Sequence, residues 1–116
     1  MDAQQTPHGN AAHEFAAALI AGQFERAHKM LSTSAIREWS ASSLQEAYTK
    51  MVEYFGSPPG FVQVVQAMTE WPGKMPGDVG WAYAAIAGEG ESEAVTVVVA
   101  SEGGKHVIRS IEWGRP

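Results

Sequence analysis

The chain has no cysteine among its 116 residues, which excludes disulfides, thiolate metal sites and cysteine nucleophiles. It is also poor in positive charge. Eight Lys and Arg stand against 13 Asp and Glu, for a net charge of -5. Such a chain is repelled by phosphate and carries no polybasic run, so neither nucleic acid nor an anionic membrane surface is an expected partner. No apolar run approaches the roughly 18 to 20 residues that cross a bilayer. The longest, around residues 97–100, has the length of a strand. The first ten residues show neither the basic nor the apolar stretch of a secretory signal, and the expected location is the cytoplasm.

What is present suits one domain. Hydrophobic residues make up 45% of the chain and charged ones 18%, enough apolar material for a core and too little charge for wholesale disorder. Residues 1–9 read as a mobile tail and residues 10–116 as a single α+β domain. Asn10 is a good N-cap for an alanine-rich helix in which Phe15, Ala18 and Leu19 share a face. A second helix follows Gly22, with Phe24, Ala27, Met30 and Leu31 at helical spacing. After a brief turn near residues 35–39, Ser40 or Ser42 caps a third helix. Leu44, Ala47, Tyr48, Met51, Val52 and Phe55 form its apolar stripe, and the run from Gly56 to Gly60 stops it.

Beyond Gly60 the pattern turns extended. Four strands are expected near residues 61–71, 80–87, 91–100 and 105–113, with the Val64-Val65 pair breaking alternation as a bulge does. Glu89-Gly90 and Gly103-Gly104 mark hairpins. If both are two-residue turns, Trp81, Tyr83, Thr96, Val98, Val107, Arg109, Ile111 and Trp113 share one face. Ala82, Ala84, Ile86, Val95, Val97, Val99, Ile108 and Ser110 then share the other. Both faces are apolar, and short helices cover only one of them, so a homodimer through the flatter small-residue face is expected. The aromatic face is expected to meet the helices and enclose a ligand pocket walled by Trp81, Tyr83, Thr96, Arg109, Trp113 and Tyr48; the pattern does not say which face the helices cover, so the pocket and dimer assignments can be exchanged. A guanidinium buried at position 109 calls for an anionic partner, Glu14, Glu25, Glu53 or a ligand carboxylate; the alternative is that Arg109 snorkels to the rim.

The order of helices followed by an antiparallel meander, with the corner Leu19-Ile20-Ala21-Gly22-Gln23-Phe24-Glu25-Arg26-Ala27, resembles the nuclear transport factor 2-like superfamily, the cystatin-like α+β cone. Small bacterial members of unassigned function are the most similar in layout over residues 10–113. The resemblance implies three N-terminal helices on a curved four-stranded sheet. It does not choose among isomerases, dehydratases, adaptors and immunity proteins. Enzymatic members use a buried Asp or His with a Tyr, and no such dyad aligns here, so no catalytic residue is carried over.

Other constellations are weak. His8, His13, His28 and His106 fit no zinc spacing, and His28 beside Tyr48 is the one pair with acid–base potential. Glu89, Glu91, Glu93 and Glu112 lack the oxygen density of a calcium loop and suit solvated strand ends. No Gly-x-Ser-x-Gly elbow occurs. The sequence therefore leads to a small-molecule-binding domain without a metal, cofactor or identifiable catalytic set. Its alternative is a protein-interaction module that uses an apolar sheet face with an acidic rim.

Overall fold

In the computed structural model, which describes residues 2–115, four α-helices precede four strands. They are α1 (Pro7–Ile20), α2 (Phe24–Lys29), α3 (Thr33–Glu38), α4 (Ala41–Val52), β1 (Phe61–Met68), β2 (Asp78–Ala87), β3 (Ser92–Glu102) and β4 (Lys105–Trp113). The strands form one antiparallel meander in the order β1-β2-β3-β4. The count of helices is thus four rather than three. The turn expected near residues 35–39 is α3, whose cap Ser32 accepts a hydrogen bond from the Ala35 amide at 3.1 Å.

The N-terminal segment departs from the expected tail. Ala3–Gln5 forms a 3-10 turn, and α1 starts at Pro7 instead of after Asn10. The Thr6 hydroxyl accepts from the Gly9 amide at 3.0 Å, and proline at the first helical position has no amide to leave unsatisfied. This puts His8 and Gly9 in the folded body, with His8 only 4% exposed. Met1 lies outside the described residues. Ser40 is the cap of α4, joined to Ser43 in a reciprocal capping box.

The helices lie on the small-residue face of the sheet. Ala12, Phe15, Ala16 and Leu19 of α1 are fully buried with Ala82, Ala84, Ile86, Val95, Val97, Val99 and Ile108. Alanine on both sides allows close approach, which a surface of tryptophan and tyrosine would prevent. The face expected to carry a homodimer is therefore the core, and the aromatic face is the uncovered one. Among the described residues, no helix is long and apolar enough to cross a membrane.

Register follows the hairpins in part. β2 and β3 pair as expected, with Trp81 opposite Val98, Tyr83 opposite Thr96 and Ala85 opposite Ala94. Gly103 and Gly104 have φ of 56° and 80°, the paired positive values of a type I′ turn, and Ala100 faces Val107 as expected. Beyond Val98 the ladder shifts by one residue at Arg109. Ser110 is then opposite Val98, and Glu112 rather than Ile111 is opposite Thr96. Ile111 and Trp113 turn to the helical side, where they pack on the core. The anticipated bulge at Val65 is present, and a third shift falls between Asp78 and Gly80.

Candidate functional site

The uncovered face is organised as rows across the strands. In one row Gln66 of β1 pairs with Tyr83 of β2, Tyr83 with Thr96 of β3, and Thr96 with Glu112 of β4. In the next, Met68, Trp81, Val98 and Ser110 follow the same order. The outward residues of β3 are small and lie at 0 to 8% exposure (Ala94, Thr96, Val98 and Ala100). Trp81 and Tyr83 of β2 stand directly beside Val98 and Thr96, and Glu112 of β4 stands beside Thr96. The result is a trough with a floor of small side chains, not a flat surface.

One end of that trough is a groove of about 370 Å³ bordered by Val65, Gln66, Trp81, Tyr83, Thr96, Glu112, Trp113, Gly114 and Arg115. Apolar walls with a few polar groups are the usual composition of a small-molecule site. A larger depression of about 720 Å³ lies between the start of α2 and α4, at Gly22–Arg26 and Ala41–Gln45 in part. Most of its lining residues are exposed and hydrophilic, so it offers little apolar surface to remove from water.

Of the residues expected at a pocket, Trp81, Tyr83 and Thr96 border this groove from the sheet face away from the helices, and Trp113, turned to the helical side, borders it from the end of β4. Trp113 stands at the end of β4, and its ring also meets Trp39 edge-on at 5.7 Å. Tyr48 is elsewhere. It is buried in the helical layer against Phe24, ring centroids 6.0 Å apart, and burial raises its hydroxyl pKa above the ordinary tyrosine value.

Arg109 does not line the groove; its guanidinium is committed to Asp78. Nε donates to Oδ1 and Nη2 to Oδ2, both at 2.7 Å, while the Met75 amide donates to Oδ2 at 2.8 Å. The Asp78 carboxylate is fully shielded and Arg109 is one-quarter exposed. Burial alone would raise the Asp78 pKa. The hydrogen bonds from Arg109 and Met75, with the nearby positive charges, outweigh it and hold the carboxyl below its ordinary value. The expected anionic partner is therefore real but is neither a helix glutamate nor a ligand.

The other candidates disperse. His28 Nε2 lies 2.9 Å from the Trp39 carbonyl, tying α2 to the end of α3. Glu93 accepts from the Tyr54 hydroxyl at 2.9 Å and the Arg115 amide at 3.1 Å. Among the described residues no group of three or more His, Asp or Glu is placed to hold a metal ion. Sequence reasoning missed Val65, Gln66, Glu112, Gly114 and Arg115 as groove residues. The Val64-Val65 bulge carried the signal for the first two, because a bulge sends two successive side chains outward. Glu112 depends on the bulge at Arg109, which has no glycine or break in alternation to mark it. Comparison of the chain with protein-family models, curated proteins and solved structures finds no match.

Proposed function

We propose that the chain is a small-molecule-binding domain whose site is the groove on the uncovered sheet face, acting by binding without a reaction of its own. The observation that carries this reading is the groove itself: nearly buried Thr96 and Val98 beside Tyr83 and Trp81, opening into a space of about 370 Å³. Three ladder shifts, at Val65, before Gly80 and at Arg109, increase local twist and bend. They support a cone-like sheet of the kind that the nuclear transport factor 2-like resemblance implies.

Native mass spectrometry of the purified protein tests the reading. A non-covalent adduct that is lost in Trp81→Ala, with the melting transition retained, is the expected result. Bare chain mass, together with no tryptophan fluorescence change on titration of single-ring fragments, would refute it.

A second reading rests on β1. Phe61 and Val65 are 55% and 57% exposed on this edge strand, a combination that favours docking of another chain. On that reading the domain is a cytoplasmic interaction module, or a homodimer through β1 and the adjoining face. The same spectra separate the two, since a dimer of bare chain mass favours the second.

A further inference from the structure

We infer that the groove selects an organic cation, a primary or quaternary amine on a single-ring apolar body; this rests on the reading of the groove as a ligand site. Three observations converge. Trp81 and Tyr83 stand two residues apart on β2 and point to the same side, and among the described residues neither ring is stacked on another ring or covered by a side-chain cation. Both are half-buried and border the groove, so a positive charge bound there would meet their rings. Glu112 closes the polar row at the opposite wall, and among the described residues no Lys, Arg or His pairs with it.

Among the described residues Arg115 is the one cation bordering the groove, and it is turned to Glu93. Its amide is 3.1 Å and its Nε 4.0 Å from Glu93 Oε1. Glu93 offsets Arg115 in part, and Glu112 adds a carboxylate with no side-chain cation paired to it among the described residues. Gln66, Tyr83 and Thr96 add hydrogen-bonding groups along the row between the carboxylate and β1. The volume of about 370 Å³ lies near the lower end for ligand pockets, which suits one ring rather than a polycyclic body. Carboxylate, half-buried aromatic pair and small volume together describe an amine site.

Isothermal titration with 2-phenylethylamine, 2-phenylethanol and 3-phenylpropionate, matched in their ring and differing in charge, reads this directly. An exposed carboxylate and a partly exposed aromatic pair are together worth about a ten-fold preference for the amine over the alcohol, shrinking as salt is raised. Glu112→Gln brings the amine to the level of the alcohol. Val65→Arg, which puts a positive charge at an exposed position on the groove border, weakens the amine more than the alcohol. If alcohol and acid bind as tightly as the amine, or Glu112→Gln leaves the preference intact, the cation inference is overturned while the groove remains a ligand site. If none of the three binds, the groove reading falls with it.

Discussion

Removing the Asp78 carboxylate is the sharpest test of how the uncovered face is held together. Asp78→Ala leaves the Arg109 guanidinium three-quarters covered without a counter-ion and frees the Met75 amide. Breaking a buried pair from one side costs about 3 to 5 kcal/mol, and the partial exposure of Arg109 brings this to about 2 to 3 kcal/mol because water can reach the orphaned charge. A domain of this size has a total stability of about 5 to 15 kcal/mol, so the change is large. It corresponds to a fall of roughly 10 °C in Tm. Urea denaturation of Asp78→Ala, Arg109→Met and the double variant reads the coupling. The double variant should cost about as much as one single change, because removing both partners leaves no orphan charge. A loss under about 0.5 kcal/mol for Asp78→Ala, or simple additivity in the double variant, would refute the pair as a unit. Since the Asp78 pKa is lowered by folding, its contribution is complete above the ordinary carboxylate range and is lost as pH falls below it. Arg109→Met removes that acid sensitivity.

Further outcomes follow from the N-terminal half. A Cβ at Gly80 would overlap the His8 ring, so Gly80→Ala costs about 1 to 3 kcal/mol in urea melts, and much less in a His8→Ala background; equal costs in both would exclude this contact as the cause. Burial, then the nearby His106, lowers the His8 pKa below its ordinary 6.5. The unfolded chain binds the proton first, so stability falls as pH drops below 6.5, and His8→Asn flattens that slope between pH 7 and 5. An unchanged slope would contradict the assignment. Ser40→Ala removes the cap of α4 at a cost of about 1 kcal/mol, read by thermal melting.

Much of the fold was legible because its signals are local. Ser40 before an apolar stripe, Gly103-Gly104 between alternating strands and Val64-Val65 breaking alternation each act within a few residues, and each formed what it announced. Thr6-Pro7 was equally local, a cap and a proline at the first helical position, but the richer alanine run drew the helix start to Asn10. What was not legible is long-range. Both sheet faces are apolar, so patterning cannot say which one the helices cover; the choice is set by how closely alanines of α1 approach Ala82 and Ala84. The Arg109 partner sits 31 residues away in sequence, across the sheet. The shift at Arg109 hides inside a run that alternates acceptably in either register, and it exchanged Ile111 and Trp113 for Ser110 and Glu112 on the uncovered side.

The two margins of the sheet are unequal. Along the outer side of β4, the segment around Leu31 forms a short parallel bridge: the Ser32 amide donates to the Ile108 carbonyl and the Ile108 amide to the Met30 carbonyl, each at 2.8 Å. That side is stoppered at its middle by the chain's own backbone, while among the described residues no strand pairs with the outer side of β1. A sheet with one margin stoppered cannot add copies indefinitely. Any growth by strand addition would join β1 to β1 across a two-fold axis and end there, so the geometry that leaves one sticky margin also terminates polymerisation at the second chain.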